Sequence, residues 1–305
     1  MTRLHTRDIM VAEGILEKYK HIDETAAPDG FFTNFLGVKT RIGNLPQGPD
    51  LNGKVFSDTP GAASGDGVFA GQSEYNALLT ALDACVGAET VTIAEFGAGW
   101  GPWISAAGVV ARRMGIPDIR LIAVEADAYK HSQLLLHMED NGLVRENGVT
   151  VTTHNAAISH SDGVLHFPKD LNPLDYGGQA SETGHSVDYR GMGYQTIEVP
   201  ALSIETVLKD AGPVDYLHVD IQGAEYEALQ PCRSFLTEHV KYMFIGTHSR
   251  MIDGQIVELL HEWDWQIHIA HPCGFVHDRS VPTLEGMTVA DGEVFASNPR
   301  LTGSD

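Results

Sequence analysis

Residues 91–101 read Val-Thr-Ile-Ala-Glu95-Phe-Gly97-Ala98-Gly99-Trp100-Gly101, an apolar run ending in an acid and then in three alternating glycines. This is the pattern of a strand entering a tight turn whose backbone lies bare for close approach of a ligand. The helix expected next, Pro102 to about Met114, offers unpaired N–H groups and a positive dipole end. Gly-x-Gly-x-Gly differs from the Gly-x-Gly-x-x-Gly fingerprint, in which the helix end receives a pyrophosphate. Glu95 stands two positions before the first glycine, where a carboxylate attracts an ammonium or sulfonium and repels a diphosphate. The chemistry favoured is binding of S-adenosylmethionine over a nicotinamide dinucleotide. A glycine-rich turn with no ligand is the competing structural reading.

Glu125 ends the next apolar run, 24 residues past Gly101. An acid at that point of an open α/β fold receives the two ribose hydroxyls, which need a paired acceptor; the bland reading is a helix-capping acid before Ala126-Asp127. Asn155 follows the third strand, where an amide or a backbone N–H suits an adenine edge, and the small Ala156 and Ala157 leave room for a flat ring. Asp220 ends a near-continuous apolar strand and shares a face with His218. A carboxylate there can position a methyl acceptor, help deprotonate it or hold a divalent cation; otherwise it caps the next helix. His248 ends the following strand and is expected to project into the same crevice, as the side chain best tuned to take a hydroxyl proton near neutral pH. A hydrogen-bonded core histidine is its alternative. His268, His271, Cys273 and His277 do not match a spaced zinc motif, and Trp100, Trp103, Trp263 and Trp265 read as packing residues.

The elements that must position these groups alternate regularly from residue 91. The expected strands are 91–96, 119–124, 149–153, 164–167, 197–199, 216–221, 241–246, 265–270 and about 286–296, with helices after Gly101, over 128–140, 202–209 and 253–263, and after Gln222. Asn141-Gly142 is a left-handed helix stop. Upstream, 8–21 is an amphipathic helix capped by Asp8, 23–72 is irregular, and 73–86 is a helix capped by Ser73. A polar loop at 168–195 is long enough to be functional. Alternating βα units imply a mostly parallel sheet, helices on both faces and a site at the strands' C-terminal ends.

The chain has 305 residues, enough for one large α/β domain with additions, and no apolar run approaching the roughly 18–20 residues that span a bilayer. Cys85, Cys232 and Cys273 read as free thiols of a reducing, cytoplasmic compartment, and no signal peptide is visible. Twenty Lys and Arg against 41 Asp and Glu give a net charge of −21, which repels phosphate backbones and argues against nucleic acid as partner.

Glu95-Phe-Gly97-Ala-Gly99-Trp-Gly101, Val124-Glu125-Ala126, His154-Asn155-Ala156-Ala157-Ile158 and His218-Val-Asp220-Ile-Gln222-Gly223-Ala224-Glu225 together resemble the FkbM family of class I S-adenosylmethionine-dependent methyltransferases. The last block departs from the family's Asp-x-Glu-Gly-Ala-Glu string by carrying Gln222 in place of Glu. The resemblance covers about 90–299. It implies a Rossmann-like sheet of seven strands, mostly parallel with the last antiparallel, preceded by a helical and irregular extension. Residues 1–89 are then an accessory segment and 90–305 the methyltransferase domain. It further implies O-methylation of a hydroxyl on a sugar, glycan or secondary metabolite. Glu95, Gly97, Ala98, Gly99, Glu125, Ala126, Asn155 and Ala156 are assigned to the cofactor, and Asp220 and His248 to catalysis. A divalent cation at Asp220 and a homo-oligomer are admitted, and loop 168–195 with the N-terminal segment is expected to form a lid. The rival readings are a nicotinamide-dependent oxidoreductase, for which no Tyr-x-x-x-Lys follows the fourth strand, and a non-catalytic partner protein that keeps the fold.

Overall fold

The computed structural model describes residues 14–21, 26–60, 71–184, 193–281 and 283–303. Seven strands form the main sheet: β1 (Thr90–Phe96), β2 (Asp118–Glu125), β3 (Val149–Asn155), β4 (Val214–Val219), β5 (Val240–Thr247), β6 (Gln266–His271) and β7 (Gly292–Ser297). Their spatial order is β6-β7-β5-β4-β1-β2-β3. The β3–β2–β1–β4–β5 run is parallel, while β7 is antiparallel to both β5 and β6. The order reverses between β1 and β4, and at such a switch point the loops part and leave a crevice at the strand ends.

Alternation along the strands divides the core between two faces. Val91, Ile93, Tyr216, Phe244 and Phe295 pack under helices α1 (Gln72–Asp83) and α2 (Pro102–Arg113). Ala94, Phe96, Val124, Leu217, Val219 and Ile245 pack on the opposite face against Ile204, Leu229, Ile256 and Leu260. The last two belong to the helix Arg250–Glu262. A burial pattern of this kind, continuous along β4 and nearly so along β1, is what a strand covered on both faces requires.

Three local expectations change, and one falls partly outside the described residues. The described part of the first helix is Ile15–Tyr19, with Asp8 outside the described residues. Helix α1 starts after Gly71, so Ser73 lies inside it and its hydroxyl bonds Glu293 instead of capping. The expected strand 286–296 divides into Thr288–Ala290, paired with Gly274–Phe275, and β7. Strands 157–159, 163–168 and 196–203 form a separate small sheet beside the main one. Asn141 ends the helix Ala128–Asp140 (α3), with Gly142 at φ 64°, as the Asn-Gly pair implies.

Candidate functional site

The glycine turn is built from the register of its neighbours. The Gly97 and Ala98 N–H groups both donate to the Val124 carbonyl, at 2.9 and 3.0 Å, which folds the chain back over the end of β2. Gly97 has φ 73°, and a Cβ on it would lie 1.7 Å from the Asp220 carbonyl oxygen. Asp220 N–H in turn donates to the Phe96 carbonyl at 2.9 Å. The ends of β1 and β4 therefore interlock at backbone distance, and only glycine fits between them.

Around this joint lies a cavity of about 550 Å³, lined by both strand ends, the Gly97–Trp100 turn and the start of α2. Glu125 lines it and is buried; its Oε2 accepts from Gly99 N–H at 2.6 Å and its Oε1 from Asp127 N–H at 2.7 Å. Burial pushes its pKa up, against the pull of the Asp127 N–H, Lys130 and the Gly99 N–H. Each carboxylate oxygen retains acceptor capacity for a further partner. Ala98, Ala126, Ala156 and Ala157, with Ile158, also line the cavity, and the four methyl side chains take up little of its space. Asn155 does not line the cavity. Its amide donates to the Glu125 and Ala126 carbonyls at 2.9 and 3.1 Å, and so it holds the Glu125 loop in place from outside.

Glu95 divides its two oxygens. Oε2 accepts from Ile104 N–H at 2.7 Å, satisfying one of the unpaired donors of the α2 N-terminus, while Oε1 faces His218 Nδ1 at 4.0 Å on the cavity floor. Burial raises the Glu95 carboxyl to about 8, against the pull of His218 and the Ile104 N–H.

Asp220 and His248 do meet in one crevice. His248 Nε2 stands 3.3 Å from Asp220 Oδ1, and Nδ1 lies 2.9 Å from Glu225 Oε1. Glu225 is fully buried and is fixed by Gly223 N–H at 2.9 Å and Ile221 N–H at 3.2 Å. Burial disfavours charge on His248, but Glu225 and Asp220 on either side overcome it and hold the imidazole protonated well above its usual range. A protonated ring has no lone pair, so in this arrangement it does not accept a hydroxyl proton. Burial presses Asp220 toward protonation, yet His248 and the Gln222 amide, 2.9 Å from Oδ1, hold it ionised. Gln222 has φ 54° and lines the cavity. A glutamate in its place lacks the N–H donor and sets a second acid against Asp220.

Asp220, Glu225 and His248 each bring one ligand atom within 4.8 Å of the others. They do not fit a cation as they stand. Both ring nitrogens of His248 face carboxylates, Glu225 is taken by two backbone N–H groups, and Gln222 donates to Asp220. A metal-binding histidine is neutral with a lone pair on the ion.

The histidine and cysteine group near the C-terminus stays apart. His268 bonds Ser297 at 2.8 Å, His271 faces Glu293 at 3.1 Å, and Cys273 is buried against Thr247 and Asp253. All three cysteines are free and buried. Trp103 packs edge-on to Tyr75, as a core residue does, but both Trp100 and Trp103 also line the cavity.

Several lining residues carry no sequence signal. Glu74 comes from the polar side of α1. Lys130, on α3, gives its ammonium to the Asp175 carbonyl and lies 4.9 Å over the Tyr176 ring. Tyr176 donates to the Asn44 carbonyl at 2.6 Å and accepts from Trp100 Nε1 at 3.2 Å, so segment 168–184 is tied to the N-terminal segment above the turn. Residues 185–192 of the expected lid lie outside the described residues.

Comparison with known proteins matches residues 84–275 to the Methyltransferase FkbM domain. A relative from Jannaschia sp. (strain CCS1), named "Putative methyltransferase", is 30% identical over 292 residues, covering 91% of this chain and 95% of its own. The chain belongs to the FkbM methyltransferase family. Among solved structures, this FkbM-family protein is similar to precorrin-6y C5,15-methyltransferase from Geobacter metallireducens GS-15, with TM-score 0.40 and 11% identity over 75% of this chain and 89% of that one. It is also similar to the SAM-dependent methyltransferase from Agrobacterium tumefaciens, with TM-score 0.40 and 8% identity over 76% of this chain and 64% of that one. The family assignment rests on the first two matches. Among the described residues, no helix is long and apolar enough to cross a membrane.

Proposed function

We propose that this FkbM-family methyltransferase binds S-adenosylmethionine in the cavity at the β1–β4 switch point and methylates a hydroxyl oxygen of a sugar, glycan or small metabolite. The observation that carries the reading is the position of the Glu125 carboxylate: buried, lining the cavity, and linked through Gly99 N–H to the glycine turn. That carboxylate suits the paired hydroxyls of a ribose, and the space left by the alanines of the lining suits a flat base. Gly97, Ala98 and Gly99 let the donor lie against backbone. Ala126 and Ala156 wall that space, and Asn155 supports it through the Glu125 loop.

Asp220 stands across the turn from Glu125 and is the group we assign to the acceptor. Its ionised carboxylate accepts the O–H of the incoming hydroxyl and aligns the oxygen with the donor methyl. The oxygen lone pair forms the C–O bond, the C–S pair returns to sulfur, and the hydroxyl proton passes to Asp220. His248, gripped by Glu225, is a positioning residue that keeps Asp220 ionised. This differs from His248 as proton acceptor, and the reason is its charge. No step uses a divalent cation.

Residues 90–305 serve as the catalytic domain in this reading, with 1–89 as an accessory segment that contributes Leu45, Pro46, Gln47 and Glu74 to the cavity wall. The net charge of −21 favours a neutral or cationic acceptor over a nucleic acid. The test is incubation with methyl-labelled donor and a panel of hydroxylated acceptors. The reading expects label on an acceptor oxygen; transfer only to nitrogen or carbon, or none to any acceptor, contradicts it.

A further inference from the structure

We propose that Asp291 contacts a protonated amine on the acceptor, so that the hydroxyl methylated at Asp220 belongs to an amino alcohol. This rests on the reading of Asp220 as the group that receives the acceptor.

Register brings Asp291 to the crevice. β7 runs antiparallel to β5 with Gly246 opposite Glu293 and Thr247 opposite Gly292, so the next step sets Asp291 against His248. Asp291 stands between the strand Thr288–Ala290 and β7, and it lines the same cavity as Asp220. A buried polar knot holds it there. Cys273 N–H donates to Asp253 Oδ2 at 2.8 Å, Thr247 Oγ1 donates to Asp253 Oδ1, and Cys273 Sγ donates to the Thr247 carbonyl at 3.2 Å. Gly292 is pressed against this knot: a Cβ on it would run into Thr247 Oγ1 and Asp253 Oδ1, and would lie 2.9 Å from Cys273 N. The backbone on one side of Asp291 is thereby fixed, and the pairing of Thr288–Ala290 with Gly274–Phe275 fixes the other.

The carboxyl so held is exposed to the cavity and has no hydrogen bond or ion pair among the described residues. Surrounding protein raises its pKa; His248 opposes that shift, while Asp220 and Glu225 add to it. One protonated imidazole thus stands among three carboxyl groups, and Asp220 and Glu225 already grip it. Asp291 is left without a cation. Among the described lining residues there is no Arg, and Lys130 lies over Tyr176 at the Glu125 end. A buried acceptor marks the same face of β4. His218, 2% exposed, is kept neutral by burial and turns Nε2 to the Glu74 carboxylate, so Nδ1 is a lone pair, and it has no partner. An acceptor ammonium supplies the missing charge with three N–H donors, whereas a hydroxyl supplies one donor and no charge. An acceptor carboxylate or phosphate would meet Asp291 and Asp220 with like charge. With its ammonium on Asp291, an amino alcohol is held while its hydroxyl reaches Asp220.

The experiment is methyl transfer by the full chain to ethanolamine, glucosamine and galactosamine. Each is compared at pH 7 with the counterpart that carries hydroxyl in place of the amine, and with its N-acetyl derivative. Wild type is expected to favour at least one amine over both counterparts by about tenfold in kcat/KM, with the label on oxygen. Asp291→Asn is expected to bring that ratio close to one, the loss falling on KM for the amine, while S-adenosylhomocysteine still binds. Equal losses for amine and counterpart indicate a merely structural Asp291 and overturn the inference. Transfer to the hydroxyl counterparts with no preference for the amine also overturns it, leaves the O-methylation reading standing, and needs no variant. Label on nitrogen, or on no member of the panel, overturns the O-methylation reading and this inference with it.

Discussion

The joint between Gly97 and Asp220 makes a quantitative prediction for Gly97→Ala, with Gly99→Ala as its control. A methyl at residue 97 lies 1.7 Å from the Asp220 carbonyl oxygen, where ordinary contact begins near 3.4 Å, so one of the two backbones must move by more than 1 Å. Neither moves freely, because Gly97 N–H is bonded to Val124 and Asp220 N–H to Phe96. The left-handed φ of 73° adds about 1–2 kcal/mol for any residue with a Cβ, and forced overpacking a further 1–3 kcal/mol or so. The sum is roughly 2–5 kcal/mol of stability, together with displacement of Asp220 from the donor. A shift on the order of 1 Å in a positioned group costs about a hundredfold in rate. Gly99 also has positive φ, 54°, but nothing lies within 4 Å of its added Cβ, so its cost is the conformational term alone, about 1–2 kcal/mol. Denaturant unfolding of both variants, with methyl-transfer assays of Gly97→Ala, measures the difference. Gly97→Ala that is as stable as Gly99→Ala and retains wild-type turnover refutes the interlocked joint.

Two further outcomes follow from the charged groups. His248→Ala should keep donor binding and lose turnover, because Asp220 loses the cation that holds it ionised; normal turnover removes His248 from the reaction. The raised pKa of His248 also means that its ionic contribution to stability is complete below the ordinary histidine value of about 6.5 and is lost as pH rises through its folded value. The melting difference between wild type and His248→Ala should therefore narrow in alkaline buffer. Burial raises the Glu95 carboxyl to about 8, with Asp220 and Glu74 adding to it and His218 and the Ile104 N–H opposing, so without a donor bound it carries a proton at pH 7. A cationic donor favours the ionised form, so affinity should rise with pH up to about 8 and then level, with proton release on binding at pH 7. Calorimetry in two buffers of different ionisation enthalpy reads that proton, and its absence contradicts the assigned contact.

What the sequence made legible was local or periodic. The Glu95–Gly101 turn is contiguous, and the placement of Glu125, Asp220 and His248 at strand ends follows from counting apolar runs. Contacts between distant elements were not legible. Glu225 grips His248 from 23 residues away, and it reverses the protonation that histidine's ordinary pKa suggests. Glu74 reaches His218 across 144 residues through the packing of α1 on the sheet, which no spacing rule encodes. Ser73 looked like a cap because its type suits one, but Gly71 takes that place and the hydroxyl turns to Glu293. Asn155 was read from its place at a strand end; the side chain folds back on the Glu125 and Ala126 carbonyls, a choice set by three-dimensional proximity of β2 and β3. Gln222 gained a meaning only with its amide seen against Asp220.

The central claim is that the cavity holds S-adenosylmethionine with its ribose on Glu125. The most direct measurement is calorimetric titration of wild type and Glu125→Ala with S-adenosylmethionine, alongside NAD. A charged hydrogen-bond pair contributes about 1.5–3 kcal/mol, so the account predicts that wild type binds S-adenosylmethionine and not NAD, and that Glu125→Ala binds it at least about tenfold more weakly. Binding of NAD without S-adenosylmethionine, or unchanged affinity in Glu125→Ala, contradicts it.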